Sequence, residues 1–190
     1  MFKSNSGVGQ GTSAVGGKQK GRILQPDCIG LVTVKEDMAW ALVQLTSGSV
    51  LVGYHLNKPP SSESWNGWLG TKKQAILSVG LARVVVFTEG GAPSREQQAQ
   101  LKGTIYPVWS QRGIKAKVGI QIVTTNQVFG SLLGATVAVI RVGARALGME
   151  RIIEFFGSIE GTLEFAGIPQ PEWEHLKDVR TYLHQELQSR

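Results

Sequence analysis

Glu89 is the residue of this chain best placed to do chemistry. It stands where a run of four apolar residues, Val84 to Phe87, stops at Thr88-Glu89-Gly90-Gly91. Ser94, with Gln97 three residues later, then opens a helix through a capping box. A carboxylate at the carboxyl end of a buried strand, beside a glycine turn, is where an α/β fold keeps a general base or a ligand-binding group. Thr88 and Ser94 are the hydroxyls of the same turn, and Ser94 is committed to capping. A second strand end of the same kind, Thr124-Thr125-Asn126, follows the apolar run Val118 to Val123. Trp65 and Trp68 lie three apart on one helical face with Leu69, Lys72 and Ile76. They offer a docking face, although an indole pair at this spacing more often fills a core.

The partners that would make Glu89 catalytic are not evident in the sequence. The histidines are His55, His175 and His184, and the last two lie nine apart on one helix, a spacing that does not build a metal site. Cys28, the single cysteine, has no histidine near it in sequence and reads as a small buried residue. Asp27, Glu36 and Asp37 read as turn residues, and Asp178 with the late glutamates as a solvated helix face. No nucleophile elbow, phosphate loop, dinucleotide fingerprint or zinc pattern occurs. The glycine-rich run Gly7 to Gly11 has no strand before it and no apolar helix after it. The expectation is a non-enzymatic protein with no cofactor and no metal.

The elements that would position these residues follow from periodicity. Ile29–Val34, Met38–Leu45 and Val50–His55 alternate as strands with turns too short for crossovers, so they form an antiparallel meander. Pro59-Pro60 ends it, and a helix begins with Ser62 as N-cap. Gly67 and Gly70 each cost that helix up to about 1 kcal/mol relative to alanine, which close packing or a partner would offset. The strand 83–88, the helix from Ser94 broken at Pro107, the strand 118–123 and a helix capped by Thr125 or Asn126 follow. That helix buries Val128, Leu132, Leu133 and Thr136, and Gly130 with Gly134 allows a close approach to it. A short strand is expected near Ala144–Leu147, a helix marked by Ile152, Ile153, Phe156 and Ile159, and a last amphipathic helix over 171–188 with Trp173, Leu176, Leu183 and Leu187 inward. The fold class is α/β, a mixed β-sheet in which an N-terminal antiparallel meander leads into βα units, with four to five helices.

At 190 residues with 42% hydrophobic residues, the chain is one domain long and can bury a real core. Residues 1–27 carry Lys3, Lys18, Lys20 and Arg22 against Asp27, with six glycines and little to bury. This is a flexible, weakly basic tail. The domain proper is expected over 28–168, with a C-terminal amphipathic helix over 169–190. No stretch reaches the roughly 20 apolar residues of a membrane span; the longest candidate, Val128–Val142, is broken by Gly130, Ser131, Gly134 and Arg141. With no secretory h-region and one cysteine, a cytoplasmic location is expected. The net charge of +6 is scattered rather than gathered into a groove with aromatics, which argues against a nucleic-acid partner.

Three stretches carry a resemblance. Pro59-Pro60-Ser61 before Trp65, the passage Val84 to Ser94, and the strand-to-helix passage Ile122 to Leu133 are similar to the SpoIIAA-like, or STAS-like, superfamily, closest to a group of bacterial STAS-like proteins. The resemblance covers about 28–168. It implies a small α/β domain that binds proteins as a regulator. It also implies a phosphoacceptor at the central strand-to-helix turn, where the hydroxyls of this chain are Thr88 and Ser94 and the family's aspartate-serine pair is absent. Three functions follow as expectations. The first is a regulatory module binding a partner protein or its own copies through Thr88, Glu89, Gly90, Gly91, Ser94, Thr124, Thr125 and Asn126, with Trp65 and Trp68 as a second face. The second is an assembly component tethered by the basic tail. The third is a small-ligand receptor or enzyme using Glu89.

Overall fold

The computed structural model describes residues 29–90, 93–123 and 152–190. The tail with Cys28, Gly91, the Thr124-Thr125-Asn126 strand end, the helix expected after it and the strand expected at 144–147 lie outside the described residues.

Six strands form one mixed sheet in strict chain order: β1 (Ile29–Val34), β2 (Met38–Leu45), β3 (Gly48–His55), β4 (Arg83–Thr88), β5 (Lys117–Ile122) and β6 (Ile153–Phe156). The meander is antiparallel, as its short turns require. From β3 onward every neighbour is parallel. Helix α1 (Ser62–Val79) crosses from β3 to β4, and α2 (Arg95–Thr104) with α3 (Tyr106–Gln111) crosses from β4 to β5. After β6 come α4 (Ile159–Phe165) and, beyond a 3-10 turn at Gln170–Glu172, α5 (Trp173–Gln188). The expected α/β architecture is therefore the one observed.

Period-two alternation divides the core into two layers. Ala39, Ala41, Val43, Val50, Val52, Tyr54, Val85 and Phe87 point to one face, where α4 and α5 supply Leu163, Leu176, Val179, Leu183 and Leu187. Met38, Trp40, Leu51, Val84 and Val86 point to the other, under Trp65, Trp68 and Ile76 of α1 and Trp109 of α3. The C-terminal helix is thus part of the core of the sheet rather than an appendage. It packs on β2 and β3, with a lighter contact on β1.

Two expectations are corrected locally. Ser61, not Ser62, caps α1, its hydroxyl accepting from the Ser64 amide at 3.3 Å. The stretch that begins at Ile152 is not helical: Ile153–Phe156 is β6, paired in parallel with Val118–Gln121. Four β-branched, aromatic and acidic residues before Gly157-Ser158 are too few to hold a helix, and the open edge of β5 takes them as a strand. Ser158 then caps α4 through the Gly161 amide. The expected break near Pro107 falls at Ile105, between α2 and α3, with Pro107 in the first turn of α3.

Gly119 sets how closely α4 approaches the sheet. A Cβ there would lie 2.6 Å from the backbone carbonyl oxygen of Thr162, an atom that no side-chain rotation can move away. Gly119→Ala should therefore cost about 1–3 kcal/mol through overpacking, read as a lower urea midpoint at unchanged slope. An unchanged midpoint would show that α4 yields freely.

Candidate functional site

The carboxyl ends of β3 and β4 bring together residues that are distant in sequence. Tyr54 and Phe87 are register partners there, and Glu89 follows one residue past the end of β4. Its amide donates to the carbonyl of His55 at 3.1 Å, which fixes the chain as it leaves the sheet. The Tyr54 hydroxyl donates to Glu89 Oε1 at 3.1 Å. His184 of α5 places Nε2 3.4 Å from the same oxygen and stacks its ring on Tyr54, with centroids 5.0 Å apart. Arg180, one helical turn before His184, lies 5.4 Å from the centroid of Phe87. Burial, with the neighbouring Glu89 charge, pushes the Tyr54 phenol well above its usual range, so it is a hydrogen-bond donor at any ordinary pH.

Glu89 is therefore an oriented carboxylate. Both of its contacts use Oε1, and Oε2 has no hydrogen-bond partner among the described residues. Its side chain is 26% exposed and that of His184 42%, so the pair opens to solvent. Around it, Gly90 takes φ +127°, a conformation that favours glycine, and its amide donates to Thr88 Oγ1 at 3.2 Å. Ser94 and Gln97 form the expected capping box, and Ser94 Oγ also donates to Glu96 at 2.7 Å. Ser94 is exposed but fully engaged in these contacts, as the capping pattern implies. Thr88, Glu89, Gly90 and Ser94 thus stand on one edge, whereas Gly91, Thr124, Thr125 and Asn126 lie outside the described residues.

Trp65 and Trp68 do not form a docking face. They are 3% and 2% exposed and belong to the core under α1, which corrects the second surface expected for them. The residues not anticipated are Tyr54, Arg180 and His184. Arg180 and His184 are four apart, a spacing that puts them on one side of a helix. That spacing was the available signal, but only the packing of α5 across β3 directs it at Glu89.

On the other face of the same strand end lies a buried polar group. Asp37 sits in the β1–β2 turn, its carbonyl accepting from the Leu56 amide at 3.1 Å and its Oδ2 from the Ser61 amide at 2.5 Å. Burial alone would raise its carboxyl, but hydrogen bonds from Ser64 and Ser61 outweigh that and hold it below the usual range. His55 closes β3, and burial, with Lys72 adding to it, pushes its imidazole down to about 4. Lys72 reaches in from α1 with its ammonium 4.4 Å from the centroid of the Trp68 ring, and burial pushes its amine down to about 7. Among the described residues, no group of three or more His, Cys, Asp or Glu could hold a metal ion, and no helix is long and apolar enough to cross a membrane. No family model, curated protein or solved structure matches the chain.

Proposed function

We propose that this chain is a cytoplasmic, non-enzymatic STAS-like regulatory module that binds a partner protein, or a second copy of itself, through the carboxyl edge of β3 and β4. The observation that supports the reading is the state of Glu89. One carboxylate oxygen is held by Tyr54 and His184, and the other has no hydrogen-bond partner among the described residues. A pre-oriented acceptor beside exposed Gly90 and Ser94 suits recognition of an N–H or cationic group, because its orientation is fixed before the partner arrives. Sedimentation of the purified chain, alone and with proteins captured on it, tests the proposal together with Glu89→Ala. The expected result is a complex or oligomer weakened by about tenfold or more in the variant, the scale of losing a charge-assisted hydrogen bond. A strictly monomeric chain with no partner, or a complex indifferent to the variant, would overturn it.

The Tyr54–Glu89–His184 arrangement favours a second reading, a small-ligand receptor or an enzyme using Glu89. A carboxylate held between a hydroxyl and an imidazole can move a proton to or from a bound molecule. Glu89→Gln keeps the shape and removes the base, so ligand binding and turnover that ignore this change would exclude the reading.

A further inference from the structure

We infer that the partner suited to this edge is a second copy of the chain, joined about a two-fold axis by two reciprocal ion pairs between Glu89 of one copy and Arg180 of the other. The inference rests on the reading of the β3–β4 edge given above and names its occupant. Two opposite charges stand on that edge, and neither is neutralised by the other. Glu89 Oε1 is taken by the Tyr54 hydroxyl at 3.1 Å and by His184 Nε2 at 3.4 Å, which leaves Oε2 without a partner among the described residues. Arg180 makes no hydrogen bond or ion pair among the described residues; its guanidinium lies over Phe87, 5.4 Å from the ring centroid. Placed over a ring, a guanidinium keeps its N–H donors for a carboxylate, which can accept two of them at once. Tyr54 and Phe87, the aromatic residues that position the two charges, are direct register partners. Both charged side chains reach solvent, Glu89 being 26% exposed and Arg180 half-buried.

The charge pattern selects a copy of the same chain over other partners. An acidic partner would meet the repulsion of Glu89, and a basic one that of Arg180. A two-fold axis passing between the two residues instead sets each Glu89 against Arg180 of the other copy. Both contacts then form from one self-complementary surface, and the assembly closes at two subunits. Apolar surface for the contact to bury lies on both sides of the acid. Leu56 follows His55, whose carbonyl accepts from the Glu89 amide at 3.1 Å, and the Val123 amide donates to the Thr88 carbonyl at 2.7 Å. Leu56 and Val123 are both half-buried, so each retains area that a second copy can cover. Gly90 between them is exposed and has no side chain to hold the second copy away from the strand ends.

The test is analytical ultracentrifugation of the full-length chain and of two charge-reversed variants, Glu89→Arg and Arg180→Glu. The parent chain should be a reversible dimer that dissociates at least about tenfold more readily in roughly 1 M than in roughly 0.05 M sodium chloride, because salt screens exposed ion pairs. Each variant alone should dissociate at least about a hundredfold more readily, since the two-fold axis removes both contacts at once. Mixed in equal amounts, the two variants should regain the dimer, because each reversed charge then faces its opposite. Far-UV circular dichroism shows whether each variant is folded, and the salt series on the parent chain decides if one is not. A monomeric parent chain, a dimer indifferent to salt, or folded variants that stay monomeric when mixed would overturn the inference. The reading of the edge as a binding surface fails separately, if Glu89→Ala also leaves a complex with a different captured protein unchanged.

Discussion

Replacing Lys72 by methionine should stabilise the protein at pH 7 by several kcal/mol. The amine is pushed from its ordinary value of 10.5 to about 7 because burial penalises the ammonium. At 1.36 kcal/mol per unit, this is a penalty of about 4 kcal/mol at neutral pH, from which the lost contact with Trp68 must be subtracted. Methionine has nearly the same length, no charge to desolvate, and a thioether that packs well on aromatic rings. The sign of the pH dependence is fixed. Between about pH 7 and 10.5 the unfolded chain holds the Lys72 proton and the folded chain does not, so stability rises with pH across that window and falls as pH is lowered toward 7. The variant should lose this slope. His55, lowered from 6.5 to about 4, adds a second window between those values in which stability falls as pH is lowered, and that one should persist in the variant. Urea unfolding at pH 7, 8.5 and 10 reads the Lys72 effect, and the same measurement between pH 4 and 6.5 reads that of His55. A variant that is less stable than the parent at pH 7 would mean that the ammonium has a counter-ion after all.

The opposite effect is expected from Trp68→Ala, with a loss of about 3–5 kcal/mol. Two indoles and two glycines interlock where α1 meets the sheet. Trp68 lies over Gly53 of β3, where a Cβ would come within 3.0 Å of its ring, and Trp40 of β2 lies over Gly67 of α1 at the same distance. Trp40 and Gly53 are direct register partners, and the two rings meet edge-on at 6.0 Å. The Trp40 indole N–H donates to Thr71 Oγ1 at 3.0 Å, so its polar end is satisfied within α1. Truncating Trp68 removes the lid from Gly53, the edge contact of Trp40 and the aromatic face beneath Lys72 together. Far-UV circular dichroism across a urea titration measures the loss. A change below about 1 kcal/mol would show that the layer refills, as cores sometimes do.

The same interlock shows what could be read from sequence and what could not. Gly67 looked costly within a helix, and close packing was one of the two compensations expected. It is the compensation present at Gly67, whereas a Cβ at Gly70 would meet nothing within 4 Å. Strand and helix bounds were legible where alternation or a capping box marked them, as at Met38–Leu45 and Ser94, and missed by one residue at the Ser61 cap of α1. They failed at Ile153–Phe156, where four residues carry no decisive period and only the neighbouring strand decides. The edge holding Thr88, Glu89 and Gly90 was legible because strand ends announce themselves by glycine. Tyr54 and His184 were not, because the contacts that join them to Glu89 span 35 and 95 positions and depend on where α5 lies. Lys72 was visible within an apolar stripe, but that no counter-ion meets it among the described residues is a property of tertiary packing.

The placement of α5 also bears on how the chain is made. The face built from Ala39, Ala41, Val43, Val50 and Val52 is closed by Leu176, Val179, Leu183 and Leu187, so these strands are covered by a helix synthesised well after them. During translation the β1–β3 meander can pair locally, and α1 can settle on its other side. The first face lacks the cover of α5 until the ribosome has released that helix. Chaperone engagement and premature aggregation should concentrate in that interval, and a chain terminated before Trp173 should be found in the insoluble fraction.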